Sequence, residues 1–318
     1  MQANVGSPIE TVTASYIYAV RYGYSEPVIN NDNQLRISPR EGEGQASSSA
    51  EVWSIPGGRG VEFKDRFGNR VYRLRVMQPH TTLIVAAGGT VHLSTEPPAR
   101  MDMPIPDLQG LPESYEYTAI SPLVDPEAVA QPASEVAPDA GSLLTAVEGT
   151  VLWVYENILY RRGSTSVSTT AGQVLESGEG VCQDKTHLAL GMLRALKIPC
   201  RYVSGLICGQ TGETHSWVEF YHPGLGWLGA DPTRGVMLPP ASDYVKLGVG
   251  RDYTDVSPVT GSFLSTGAAV DIAAIAEVQM TGATPTLEDA LELLEQAYVV
   301  HNQSGSPGGS PERPEKDL

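Results

Sequence analysis

The sequence predicts an α+β protein, with an antiparallel β-sandwich over residues 1–95 and a mixed helix-and-strand domain over residues 141–280. Three observations carry this. Apolar residues alternate at period two through the first hundred positions. From Ser142 they recur at helical spacing. After Pro199 short apolar runs follow one another, separated by glycine-rich turns.

Thr11–Tyr18, Gln34–Ser38 and Val71–Val76 alternate as half-buried strands do. Turn residues separate them at Asn30–Asn33, Pro56–Gly58 and Phe67–Asn69. No helical period interrupts this region, which is the pattern of a sandwich. Residues 96–140 are rich in Pro, Asp and Glu and weakly periodic; they read as a connector along the surface, with room for some helix. Leu144, Val147, Val151, Tyr155 and Ile158 share one helical face, predicting a helix over Leu143–Tyr160. A short helix near Gln173–Glu176 leads to the turn Ser177–Gly180. A second helix then begins at about Cys182 and ends at about Leu196, closed by Pro199. Strands are expected at Arg201–Ile207, His215–Tyr221 and Gly226–Ala230, and one more over residues 268–280. Residues 281–302 contain an amphipathic helix, Thr286–Asn302, with Glu288 and Asp289 in its first turn. Residues 303–318 have the composition of a disordered tail.

The 318 residues carry 21 Lys and Arg against 37 Asp and Glu, a formal charge of −16. The first hundred residues hold 10 bases and 9 acids, so almost all the surplus lies beyond them. A chain this acidic, without a basic run, is a poor nucleic-acid binder. No apolar stretch approaches the roughly 18 residues that cross a bilayer, and the opening MQANVGSPIETVT lacks the pattern of a secretory leader. Three cysteines, Cys182, Cys200 and Cys208, cannot make a disulfide framework. A cytoplasmic protein without membrane or nucleic-acid partners is the expectation; oligomeric state is not legible.

The chemistry concentrates in three segments: Gly178-Glu179-Gly180-Val181-Cys182-Gln183-Asp184, Glu213-Thr214-His215-Ser216-Trp217-Val218-Glu219 and Gly229-Ala230-Asp231-Pro232-Thr233. They place a cysteine at a helix start, a histidine on a strand and an aspartate at a strand end. A helix N-terminus and a neighbouring imidazolium favour the thiolate, which is the nucleophilic form. The histidine can take and return a proton, and the aspartate can fix its tautomer and ring plane. The interval between His215 and Asp231 suits two adjacent antiparallel strands joined by a loop.

GVCQD, THSWVE and GWLGADPT together resemble the bacterial transglutaminase-like superfamily. Tyr16-x-Tyr18, Leu35–Arg40, Asp65–Asn69 and Pro79-His80 are similar to the bacterial transglutaminase-like N-terminal β region. The resemblance implies a papain-like (transglutaminase-like) catalytic domain with Cys182 as nucleophile, His215 as base and Asp231 as the orienting acid. It covers about residues 10–280. Lys185-Thr186 and Arg234 depart from the family pattern and bear on substrate preference.

The expected reaction is acyl transfer at an amide through a Cys182 thioester, as a cysteine protease or amidase if water resolves it and a transglutaminase if an amine does. A protein or peptide substrate is expected, without a metal or organic cofactor. Other candidates near the cleft are Gln183, beside the nucleophile; Asp184, which also suits a helix cap; and Trp217, which shares the His215 face of a strand. Cys182, His187 and His215 lack zinc-ligand spacing. Two other readings stand: a Cys-His-Asp N-acetyltransferase-like enzyme, and a catalytically inactive binding or scaffold protein. From the chain's net charge, the cleft is expected to prefer neutral or basic substrates.

Overall fold

One strand organises the N-terminal half. In the computed structural model, which describes residues 10–137, 141–265, 267 and 269–303, β1 runs over Thr11–Leu35. It is followed by β2 (Gln45–Ile55), β3 (Arg59–Lys64), β4 (Arg70–Val76) and β5 (His80–Ser94). The first part of β1 pairs antiparallel with β5, from Thr11 opposite Ser94 to Gly23 opposite Thr82. Its last part pairs with β4, from Asn31 opposite Val76 to Leu35 opposite Tyr72. An irregularity between Gly23 and Val28 marks the change of neighbour. Among the described residues the result is one curled eight-stranded sheet. The expected separate two-sheet sandwich is not confirmed by this arrangement. The apolar face of β1 is covered by a later part of the chain, because Tyr16, Tyr18, Val20 and Tyr24 share a core with Leu206, Val245 and Leu247.

The chain continues through α1 (Pro112–Tyr117), α2 (Ala130–Val136), α3 (Leu143–Asn157), β6 (Leu159–Tyr160), α4 (Ala171–Ser177), β7 (Glu179–Gly180) and α5 (Cys182–Ala195). Then come β8 (Cys200–Ile207), β9 (Thr211–Gly212), β10 (His215–His222), β11 (Gly226–Asp231), β12 (Val236–Met237) and β13 (Tyr244–Gly250). The order β12-β11-β10-β8-β13 forms a five-stranded antiparallel sheet. Leu188, Met192 and Leu193 of α5 pack with Val147, Val151 and Val154 of α3 and with Tyr202, Val218 and Phe220 of the sheet. From Asp184 to Arg194 every residue of α5 is buried, so it is the central helix of this core.

The expected surface connector is partly structural. Ile105, Leu108, Val124 and Val129 are buried in the same core as α5, because widely spaced apolar residues anchor an otherwise Pro- and acid-rich stretch. The end of the chain also departs from the expected division at residue 280. After α6 (Tyr253–Val256), β14 (Val259–Leu264) and β15 (Ala269–Gln279) pair with β1 and so return to the N-terminal sheet. The following helix α7 (Leu287–Gln303) lays Ala290, Leu293 and Leu294 on Ile17 and Ala19, the other face of β1. Both faces of the first part of β1 are thus covered, and every residue from Ala14 to Val20 is buried. Residues 304–318 of the expected tail, and the opening nine residues, lie outside the described residues. No helix among the described residues is long and apolar enough to cross a membrane.

Candidate active site

The site is built at the start of α5. Gly178 takes the left-handed conformation, φ 68°, that ends α4 and turns the chain towards Cys182. A Cβ on Gly180 would stand 2.6 Å from Asp184 Cβ, so glycine is needed for the close return of the Asp184 carboxylate. Asp184 Oδ2 accepts the Val181 backbone N–H at 2.7 Å and the Thr165 hydroxyl at 2.6 Å. Burial pushes the Asp184 carboxyl upward from the usual range, against these hydrogen bonds. Asp184 therefore caps the helix that carries the cysteine and does not line the cleft. Gln183 donates its side-chain amide to Val167 O at 3.2 Å and is likewise absent from the cleft wall.

Cys182 is the first residue of α5, with its Sγ 3.9 Å from Thr214 O. The hairpin of β10 and β11 supplies the other two groups. Its register sets Val218 opposite Ala230 and brings His215, at one strand start, beside Asp231, at the other strand end. His215 Nε2 lies 2.7 Å from Asp231 Oδ2. That bond leaves Nδ1 as the ring nitrogen to face Cys182, whose thiol interacts with the ring. Burial opposes charge on His215, but the hydrogen bonds and charges of Asp231 and Cys182 outweigh it and push the imidazole up to about 9. For Asp231 burial again works against the ion, and His215 outweighs it, holding the carboxyl below its usual value.

Sequence reasoning did not anticipate the rest of the aspartate's surroundings. Asp231 Oδ1 accepts the backbone N–H groups of Thr233 (2.9 Å) and Arg234 (3.1 Å), and Oδ2 also accepts the Tyr244 hydroxyl at 2.8 Å. Tyr244 opens β13, across the sheet and 13 residues further on, so no local pattern marks it. Trp217 is 3% exposed and does not wall the cleft, contrary to one expected role. Its ring packs on Tyr244 at 4.7 Å between centroids and stacks behind His215 at 6.3 Å. Gly205 makes this possible, since a Cβ there would meet the Trp217 ring at 2.6 Å.

The resulting cleft, about 280 Å³, lies where the two sheets meet. Cys182 and His215 form its floor, with Tyr160, Arg162, Thr233 and Arg234 around them. The other cysteines are placed for packing. Burial pushes the Cys200 thiol up to about 11 and the Cys208 thiol up to about 12. His187 is fully buried, and burial pushes it down to about 4; its Nε2 accepts the Tyr253 backbone N–H at 3.2 Å. It is a neutral core histidine, not part of the cleft.

Residues 130–232 match the transglutaminase-like superfamily, and residues 15–92 match the bacterial transglutaminase-like N-terminal region. An uncharacterized protein of Mycobacterium leprae is 30% identical over 277 residues, 82% of this chain and 96% of that one. An uncharacterized protein of Mycobacterium tuberculosis is 30% identical over 271 residues, 77% of this chain and 85% of that one. The fold is similar to the crystal structure of a putative cysteine protease from Cytophaga hutchinsonii, with a TM-score of 0.69 and 22% identity over 85% of this chain and 91% of that chain.

Proposed function

The chain belongs to the transglutaminase-like superfamily, and on that premise we propose that it is a cysteine-dependent acyl-transfer enzyme acting on peptide amides. The observation that carries the reading is the run Cys182, His215, Asp231, with the 2.7 Å bond that fixes the ring between thiol and carboxylate.

The chemistry follows from that arrangement. His215 Nδ1 carries the proton given up by the thiol, and Sγ of Cys182 attacks the amide carbonyl carbon. The charge that develops on the carbonyl oxygen is met by the Cys182 backbone N–H, which sits in the first turn of α5 where no helical acceptor exists. The imidazolium gives its proton to the departing nitrogen, the C–N bond breaks and a thioester remains. Water, activated by neutral His215, then releases the acid; an amine in the same position would give a transamidation product. Hydrolysis is favoured because water is always present and no amine-binding feature is visible at the cleft. Asp231 stays ionised throughout and holds Nε2–H. A proteinaceous substrate and a cytoplasmic setting belong to the same proposal.

An activated ester tests the acyl-enzyme step without knowledge of the substrate. With p-nitrophenyl acetate, one acetyl group per chain should appear on Cys182 in a burst, and the burst should vanish in Cys182→Ala. A burst of equal size in Cys182→Ala would remove the basis of the reading.

A further inference from the structure

The charge of the cleft differs in sign from the charge of the chain. The chain carries −16, yet apart from His215, which is paired with Asp231, the charged residues lining the cleft are Arg162, Arg234 and Glu213. Because charges beyond about 10 Å are screened at ordinary ionic strength, these three, with Asp231 and Asp243 whose charges also reach Arg234, set the local field rather than the distant acids. Arg162 and Glu213 face each other at 4.0 Å in exposed positions, a pair that water largely neutralises. That leaves Arg234.

Arg234 is unusually well held for an exposed side chain. Its backbone N–H is fixed on Asp231 Oδ1 at 3.1 Å. Its Nη1 donates to the Tyr244 hydroxyl at 2.7 Å, and its guanidinium carbon lies 5.5 Å from the centre of the Tyr244 ring. Among the described residues no carboxylate lies within 4.0 Å of its guanidinium. A cation pinned at three points beside Cys182 and His215, with donors left over, has little entropy left to lose on binding an anion.

We propose that Arg234 recognises a carboxylate of the substrate, so that the scissile amide lies next to an acidic side chain or a free carboxyl terminus. The proposal rests on the acyl-transfer reading and supplies its substrate class. It also reverses the preference for neutral or basic substrates expected from net charge, since a local fixed cation outweighs a screened global surplus.

Two alkylating agents of nearly the same shape test it. Iodoacetamide is neutral and iodoacetate carries a carboxylate; in both reactions Sγ of Cys182 bonds to the methylene carbon and iodide leaves. The quantity to read is the ratio of the iodoacetate to the iodoacetamide rate at Cys182, at low ionic strength, in the full chain. Using a ratio removes any general change in thiol reactivity caused by disturbing Tyr244. The ratio should fall roughly fivefold or more in Arg234→Gln, recover in large part in Arg234→Lys, and shrink in the wild type as salt is raised. An equal ratio in wild type and Arg234→Gln overturns the proposal. So does an equal loss in Arg234→Gln and Arg234→Lys, which would assign the effect to the Tyr244 contact. Iodoacetamide labelling of Cys182 that ignores His215→Ala would instead strike the acyl-transfer reading, and is separately visible.

Discussion

The Tyr244 hydroxyl donates, at 2.8 Å, to the very carboxylate oxygen of Asp231 that holds His215. With Thr233 and Arg234 on Oδ1, neither aspartate oxygen is left without donors. A buried ion so fully bonded is orientationally fixed, and it passes that fixity to the imidazole. Tyr244→Phe removes one of these donors. We expect about 1.5–3 kcal/mol from a hydrogen bond to a charged group, read as a roughly tenfold or greater fall in kcat/KM. The bond also helps hold the Asp231 carboxyl below its usual value. Stability from a depressed carboxyl is present above its unfolded value and lost as pH falls through its folded one. Urea unfolding of Tyr244→Phe should therefore weaken at a higher pH on the acid side than wild type. Coincident acid limbs would contradict this.

The alkaline limb belongs to His215. Its pKa, raised from 6.5 to about 9, means that the ring stays an imidazolium through neutral pH. Turnover should fall as pH passes about 9, when the acid for the leaving nitrogen is lost. The ring's contribution to stability is complete below its unfolded value of 6.5 and disappears through about 9. Asp231→Asn removes the anionic partner, so the limb should move down towards the ordinary imidazole range. A limb unmoved by Asp231→Asn would detach the aspartate from the histidine.

Gly180 tests the helix cap. A Cβ there would stand 2.6 Å from Asp184 Cβ and 2.9 Å from its Oδ2. Gly180→Ala should cost about 1–3 kcal/mol in urea unfolding and lower the rate of Cys182 acylation, because the cap and the nucleophile share one turn. Asp184→Asn, which keeps an oxygen for the Val181 N–H, should cost less than Asp184→Ala. Equal costs would show that the carboxylate is not acting as a cap.

A second charged cluster joins the two sheets. Glu43, in the loop between β1 and β2, pairs with Arg201 at 2.7 Å and Lys246 at 2.6 Å, and both cations also meet Glu219. The neighbouring cations outweigh burial and hold the Glu43 carboxyl far below its usual range. Glu43→Gln leaves a surplus buried cation, and we expect a loss of about 1–3 kcal/mol. Because Glu43 is half-exposed, high salt should narrow the difference. An unchanged urea midpoint would mean that the cluster does not tie the sheets together.

Much of the site could be read in the sequence because its determinants are local. Glycines precede the start of α5, and a hairpin of fixed register joins His215 to Asp231, so short segments encode both the helix start and the strand pair. Tyr244 was not legible, because its place beside Asp231 depends on β13 lying across the sheet, a relation of high sequence separation. The arrangement of the N-terminal strands was not legible for the same reason. Alternation showed that the N-terminal strands bury faces but not against what, and Leu206, Val245 and Leu247 lie far along the chain. The strand over residues 268–280 is expected as a strand, whereas its pairing with β1 follows only from the assembled sheet.

The most direct measurement of the central claim is site-resolved alkylation by iodoacetamide near neutral pH. Cys200 and Cys208 are held as thiols by burial, with values pushed up to about 11 and 12, so both should label slowly. Cys182 should label fast and selectively, and His215→Ala should abolish that advantage while leaving the other two rates alone. Equal, slow labelling of all three cysteines, or a fast Cys182 indifferent to His215→Ala, would contradict the account.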